Sequence, residues 1–218
     1  MVLTTLAVAD ILFIIVSFSA GFRGLHKMQW LLMIIFPTIA FLYTYKAFRL
    51  KNMQQLRAIG WLKPFFIGFT WSGLVTVYPV VFKQMQHSAG YDQVILPSPL
   101  FWLQNFLFIS ALAVLFDIKD LKDDLRQQLK TYPALLGKGK AIRWVVLPAA
   151  LLSFIFLWMF LYQQQAGPAA VAIQTIPYLL LLLITATINN QGILFYLLAI
   201  DGLMFLKGVC GIVSILFF

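Results

Sequence analysis

The sequence predicts an all-α membrane protein, a single domain over residues 1–218 that folds as a bundle of about seven transmembrane helices. Hydrophobic residues make up 62% of the chain, charged residues make up 11%, and the mean hydropathy is +0.91. A soluble domain has about a quarter of its residues charged, so this chain has too few polar residues to cover a globule in water. Its apolar runs also lack the period of two that marks transmembrane strands.

Most of the apolar segments are close to the roughly 20 residues that a helix needs to cross a bilayer. They cover residues of about 2–20, 30–46, 64–82, 99–116, 144–163, 169–188 and 192–218. The last segment is longer and contains Asp201 and Lys207, so we expect either one tilted helix or a kinked pair. An ionisable group within a span is a functional candidate, and Asp201 either has such a role or marks a break between two helices.

The basic residues predict how the spans are oriented. The loops after the second and fourth segments contain twelve Lys and Arg residues, whereas the loops after the first and third contain three. Because basic residues concentrate in cytoplasmic loops, the two basic loops and the N-terminus are predicted to be cytoplasmic. The net charge of +9 therefore indicates topology, and we expect membrane lipids but no nucleic acid as a partner.

Four of the seven acidic residues lie together directly after the fourth apolar segment, at Asp117, Asp120, Asp123 and Asp124. On a continuous helix, Asp117, Asp120 and Asp124 would lie within an arc of roughly 60°. Three carboxylates on one stripe repel one another unless a cation neutralises them, and Mg²⁺ binds carboxylates together with phosphates. The cluster is therefore either a magnesium–diphosphate site or a solvated helix end whose Asp residues pair with neighbouring Lys.

A basic segment, "YTYKAFRLK", follows the second apolar segment on the same predicted side of the membrane. Lys46, Arg49 and Lys51 could bind a diphosphate, Arg through paired donors and Lys as a point charge. They could equally anchor the helix end, with Tyr43 and Tyr45 as interfacial aromatic residues. A metal-bridged diphosphate needs both a cationic and a carboxylate-rich loop, which favours the first interpretation.

The segment "FDIKDLKDDLRQQLKTYPALLGKGKA" resembles the second aspartate-rich motif of the UbiA superfamily of intramembrane prenyltransferases. That motif reads D-x-x-D-x-x-x-D, followed by a basic residue, Thr-x-Pro and a Gly. The matching positions are Asp117, Asp120, Asp124, Arg126, Thr131, Pro133 and Gly137. The "YTYKAFRLK" segment is similar to the Tyr-then-basic segment after the fourth helix of this family, and the resemblance spans nearly the whole chain.

The resemblance implies a transferase that moves an isoprenyl group from a polyprenyl diphosphate to an aromatic or other lipophilic acceptor within the membrane. Mg²⁺ held by Asp117, Asp120 and Asp124 would bind the diphosphate and help it leave. The substrate-binding residues that it implies are Tyr45, Lys46, Arg49, Lys51, Lys119 and Arg126. The expected location is the bacterial inner membrane, with the Asp-rich loop on the cytoplasmic side.

Apolar helices would enclose the isoprenoid tail, where aromatic rings can shield a cation. Phe65, Phe69 and Trp71 are the candidates, although aromatic residues in a membrane helix more often serve packing alone.

The chain departs from the family pattern at its N-terminus. The family has nine helices and an earlier N-D-x-x-D-like motif, whereas the only acidic residue of this chain before position 92 is Asp10. We therefore expect the chain to lack the first two family helices, either because it is N-terminally incomplete or because its lineage lost the motif. The second case gives an alternative function, a non-catalytic member of the family that binds isoprenoids or acts as a scaffold.

Overall fold

The computed structural model describes residues 25–44, 60–86, 96–187 and 193–217. Within these ranges the chain is helical and contains no strand, which confirms the all-α prediction. In chain order the helices are α1 (Lys27–Thr44), α2 (Gly60–Met85), α3 (Pro99–Lys119), α4 (Leu121–Arg126), α5 (Tyr132–Leu136), α6 (Lys138–Gln163), α7 (Pro168–Thr187) and α8 (Leu194–Phe217).

Five of the helices in the described ranges, namely α2, α3, α6, α7 and α8, are long and apolar enough to cross a membrane. They correspond to five of the seven predicted segments, and they make this chain an integral membrane protein. Helix α1 corresponds to the second predicted segment, but its apolar part, Lys27–Phe41, is shorter than a span. The first predicted segment, residues 2–20, lies outside the described residues.

Helix α3 lies at the centre of the bundle and packs against α2 and α6. Half of its most apolar window is buried, compared with a third or less in the other four spans. The contact with α2 requires a residue without a side chain at Gly68, where a methyl group would meet Ser110 Oγ and lie 2.9 Å from the carbonyl oxygen of Phe106. Small residues of this kind let two membrane helices approach closely.

The apolar core has two parts. The larger part joins α3, α6, α7 and α8 around residues such as Phe108 and Leu181. The smaller part joins α1 to α2 around Phe36 and Val81. Large apolar side chains such as Leu183 remain exposed on the outside of the bundle, as expected for a surface that faces lipid rather than water.

Helix α8 is one continuous run that contains a π-helical turn, Leu197–Asp201, directly before Gly202, and ends in a 3-10 turn, Ile215–Phe217. Of the two arrangements predicted for the last segment, the structure therefore has one helix, locally widened at the predicted interruption. Single π-turns insert one extra residue into a helix and are frequent at functional sites. Asp201 is the last residue of this turn.

Short helices connect α3 to α6. Helix α3 ends at Lys119, the next residue Asp120 has a non-helical backbone (φ −90°, ψ 4°), and α4 begins at Leu121. Gly137 separates α5 from α6 with φ +79°, a conformation that side-chain-bearing residues rarely adopt. The connection therefore turns the chain sharply at the end of α3, where the Asp-rich motif lies.

Candidate functional site

Asp117 lies in the last turn of α3, and only 1% of its side chain is exposed. Lys63, the first residue of the α-helical part of α2, contacts it with 2.5 Å between Nζ and Oδ1. The second carboxylate oxygen, Oδ2, is buried and has no hydrogen-bond partner in the described part of the chain. A buried acceptor without a partner costs about 1–3 kcal/mol, and more when it is charged. Oδ2 is therefore the atom at which a ligand is most to be expected.

Asp124 is also buried, and the following loop holds its carboxylate. Thr131 donates a hydrogen bond from Oγ1 to Asp124 Oδ2 at 2.9 Å, and the N–H of Leu129 donates to the Asp124 carbonyl oxygen at 2.9 Å. Pro133 then lies in the first turn of α5, where a missing N–H has no cost. The spacing from Asp to Thr-x-Pro thus has a local structural reason, because the Thr hydroxyl fixes the carboxylate of Asp124.

Asp120 is more open than its two neighbours in the motif. Its side chain is 40% exposed, and Lys119 Nζ lies 3.5 Å from its Oδ1. The same Nζ lies 4.1 Å from the centre of the Phe116 ring. Because α3 ends at Lys119, the three carboxylates do not follow one continuous helix, which was the assumption behind the arc of roughly 60°.

The remaining predicted site residues are not gathered around Asp117. Arg126 pairs with Asp123 at 3.6 Å, and both side chains are largely exposed, so this pair contributes little stability. The other four predicted diphosphate-binding residues lie outside the described residues. These are Tyr45, Lys46, Arg49 and Lys51.

The carboxylates fit a Mg²⁺ ion only in part. In the described ranges no group of three or more His, Cys, Asp or Glu side chains is arranged to hold a metal ion. Asp117 and Asp120 nevertheless lie three residues apart at the end of α3, and Asp124 follows in α4. Mg²⁺ commonly takes one or two carboxylates and completes its shell with water and phosphate. The unpartnered oxygen of Asp117 and the open carboxylate of Asp120 fit that pattern.

A cavity of about 400 Å³ lies beside Asp117, between α2, α3 and α8. Apolar side chains make up most of its lining, including Trp71, Leu112 and Phe116. Its ionisable lining residues are Lys63, Asp117 and Asp201. We name this space the carboxylate cavity.

Sequence reasoning missed Lys63 and left Asp201 undecided. In the sequence, Lys63 was used only as one of the basic residues that orient the spans. Asp201 lies 84 positions after Asp117, and no sequence pattern connects the two residues. Helical spacing gave a partial signal, because Lys63, Ile67 and Trp71 recur every four residues and all three line the cavity.

Of the three aromatic residues predicted to shield a cation, only Trp71 lines the carboxylate cavity. Phe69 packs between Phe36 and Trp102, with ring centres 4.9 and 5.5 Å away. Phe65 contacts the Tyr132 ring edge-on at 6.3 Å. Burial raises the pKa of the Tyr132 hydroxyl, which therefore stays protonated at neutral pH.

A second polar cluster, which we name the Lys207 network, joins α3 to the other spans. Lys207 Nζ donates to Gln104 Oε1 at 2.7 Å and to Asn105 Oδ1 at 2.5 Å, and lies 4.4 Å from the centre of the Phe108 ring. Tyr178 donates to the same Gln104 oxygen at 2.8 Å. Within the described residues, no carboxylate lies within ion-pair distance of Lys207.

The fold and the site define the class of this protein as an integral membrane helix bundle with a mostly apolar cavity, which among the described residues is lined by two carboxylates and one ammonium group. No protein-family model, curated protein or solved structure matches the chain. The similarity to the UbiA superfamily therefore rests on the aspartate motif and stays a prediction.

Proposed function

We propose that the protein is a Mg²⁺-dependent prenyltransferase of the UbiA type, which moves an isoprenyl group from a polyprenyl diphosphate to a lipophilic acceptor within the membrane. The observation that carries this proposal is Asp117, a buried carboxylate with one unpartnered oxygen where an otherwise apolar cavity meets the aspartate motif. The donor substrate has the same two-part character, with a charged diphosphate and an apolar tail.

Asp117 and Asp120 would hold the Mg²⁺ ion, while Thr131 keeps Asp124 oriented beside them. The ion supplies positive charge that neutralises the departing diphosphate. Lys63, whose side chain is 35% exposed, and Lys119 would donate to phosphate oxygens from the same end of the bundle. Lys46, Arg49 and Lys51 would assist them, together with the other predicted residues Tyr45 and Arg126.

The carboxylate cavity would hold the part of the isoprenyl chain nearest the reacting carbon. Its volume of about 400 Å³ lies within the range of roughly 300–1,000 Å³ that is usual for small-molecule sites. The rings of Trp71 and Phe116, in a lining that is mostly apolar, would shield an allylic cation from water. The charge pattern of the loops supports an orientation with the motif on the cytoplasmic side, and the membrane would be the bacterial inner membrane.

A non-catalytic isoprenoid-binding role is the alternative, and two observations favour it. Lys63 already pairs with Asp117, and the described carboxylates do not form a three-ligand metal group. A protein of this kind would bind the isoprenyl chain in the same cavity but would not release diphosphate.

The test uses the full chain in lipid nanodiscs, supplied with farnesyl diphosphate, Mg²⁺ and a membrane lipid extract as the source of acceptors. We expect release of diphosphate and a labelled lipophilic product, and we expect Asp117→Asn to abolish both. Asp123→Asn is the matched control, because Asp123 belongs to the same segment but is largely exposed. Saturable binding of farnesyl diphosphate without product would favour the alternative, and absence of binding would exclude both roles.

A further inference from the structure

We propose that the chain between α3 and α6, together with the first two turns of α6, is a docking surface for anionic phospholipids of the surrounding membrane. Exposed cations and exposed large apolar side chains occur together there, and we name these eight residues the basic surface. They are Lys122, Lys130, Lys140 and Arg143, with Leu125, Leu135, Leu136 and Trp144. The proposal goes beyond the proposed function and does not depend on it, since it involves neither Mg²⁺ nor an isoprenyl diphosphate.

The cations in this part of the chain outnumber the carboxylates. Residues 119–143 include seven Lys and Arg residues but only three Asp residues. The three carboxylates already have partners, which are Lys119, Arg126 and Thr131. Within the described ranges, none of the four cations of the basic surface has an ion pair. A negatively charged partner would therefore complement this surface.

The exposed apolar residues show which kind of anion fits. Trp144 is 70% exposed although it lies in the second turn of the span α6, and Leu135 and Leu136 of α5 are exposed as well. A soluble anion would need the cations alone, whereas a lipid offers a phosphate group and an apolar chain together. Trp is enriched where a span meets the headgroup layer, and basic residues with apolar neighbours are typical of surfaces that bind anionic membranes.

The other side of this connection is buried against the helix bundle. Thr131 and Pro133 are buried, and at Gly60, the first residue of α2, an added methyl group would lie 2.9 Å from backbone atoms of Lys130 and Thr131. The connection therefore packs on the end of α2, and the basic surface lies on the part that the described helices leave uncovered. Because Thr131 also holds Asp124, lipids bound here would stabilise the position of one carboxylate of the aspartate motif.

The position of the basic surface brings it to the lipid headgroups. Helix α3 ends at Lys119 and α6 begins at Lys138, so the basic surface lies at the ends of two neighbouring spans. Clusters of four or more cations next to a span bind anionic lipids, and each cation near the membrane surface adds to the attraction. Membrane topology depends on the number of cations in a loop, whereas lipid docking also needs them to be exposed and unpaired, as they are here.

The test uses a fluorescent label on the basic surface of the full chain in phosphatidylcholine nanodiscs, without Mg²⁺ or diphosphate. Leu135→Cys carries an NBD label in a Cys210→Ser background, because Cys210 is the one cysteine of the chain. Quenching is compared for small amounts of phosphatidylglycerol and phosphatidylcholine with the same spin label near the headgroup. We expect the association constant at the label to favour phosphatidylglycerol at least about fivefold, and about 0.5 M NaCl to remove most of this preference.

Lys140→Gln/Arg143→Gln should reduce the preference to less than about twofold, since it removes two of the four cations. Lys27→Gln/Lys83→Gln is the matched control, because it removes two exposed cations near the other end of α2 and should leave the preference unchanged. No preference in the wild type, or the same preference in Lys140→Gln/Arg143→Gln, would overturn the inference. Inorganic diphosphate should lower the preference no more than sulfate does at equal ionic strength. A larger effect of diphosphate would assign these cations to a soluble phosphate ligand and would also overturn the inference.

Discussion

Lys63 and Lys207 both lie within apolar helices of this protein, but their surroundings differ. The surroundings of Lys63 are those of a binding site, whereas the surroundings of Lys207 are those of a contact between helices. Lys63 pairs with a carboxylate that keeps one oxygen unpartnered, and the pair lines a cavity. Lys207 donates to two neutral side-chain oxygens and lies over the Phe108 ring. The two sites are about 18 Å apart along α3, from the 12 residues that separate Asn105 from Asp117 and a rise of 1.5 Å each.

The Lys207 network connects five helices through hydrogen bonds from Lys207 and from neutral side chains to neutral acceptors. Asn105 donates to Thr76 of α2 at 3.0 Å, and Ser153 of α6 donates to the Gln104 carbonyl oxygen at 2.6 Å. Tyr178 brings in α7, and Lys207 brings in α8. Networks whose members are satisfied make a core rigid, whereas an unsatisfied charge beside a cavity favours a ligand. The Lys207 network is therefore architectural, and the carboxylate cavity is the candidate functional site.

The substitution Lys63→Met tests this difference with the largest expected effect. It leaves the buried Asp117 carboxylate without its cation, and we expect a loss of about 3 kcal/mol in the free energy of unfolding, the lower end of the range because Lys63 is one-third exposed. Reversible unfolding in mixed micelles measures the change. The double variant Lys63→Met/Asp117→Leu removes the buried charge as well and should recover most of the lost stability. If it does not, the loss in Lys63→Met does not come from leaving the Asp117 carboxylate without a cation.

Lys207→Met sharpens the comparison with a smaller effect. The change leaves Asn105 Oδ1 without the donor it has now, while Gln104 Oε1 keeps the hydrogen bond from Tyr178. We expect a loss of about 1–3 kcal/mol in unfolding free energy. Affinity for farnesyl diphosphate in the presence of Mg²⁺ should stay at the wild-type value, and a tenfold change in that affinity would contradict the separation of the two sites.

Arg126→Gln has the smallest expected effect. The ion pair with Asp123 is exposed and 3.6 Å long, so its removal should change the unfolding free energy by no more than about 1 kcal/mol. The same substitution also tests the predicted role of Arg126 in diphosphate binding, when the Mg²⁺-dependent affinity for farnesyl diphosphate is measured. A loss of affinity would support that role, and an unchanged affinity would assign Arg126 to the surface alone.

The spans were predictable because each depends on local sequence. In lipid, every backbone N–H and C=O must be satisfied within its own helix, so an apolar run of about 20 residues is enough to predict one. The sequence analysis placed Asp117 on one helical stripe with Asp120 and Asp124, an assumption that the end of α3 removes. In the structure Asp117 shares its face of α3 with Ile109 and Ala113, and all three line the cavity. The end of α3 at Lys119 was not predicted, because the residues there carry no Pro or Gly to mark it.

The sequence by itself determined that this protein is a helical membrane protein with its carboxylates concentrated after one span. Only the tertiary structure decided that Lys63 and Asp201 meet Asp117 at one cavity. The physical reason is that helix formation in lipid is local, whereas helix packing depends on contacts between residues far apart in the chain. The close approach of Gly68 to Ser110 is one such contact, and no property of either segment alone specifies it.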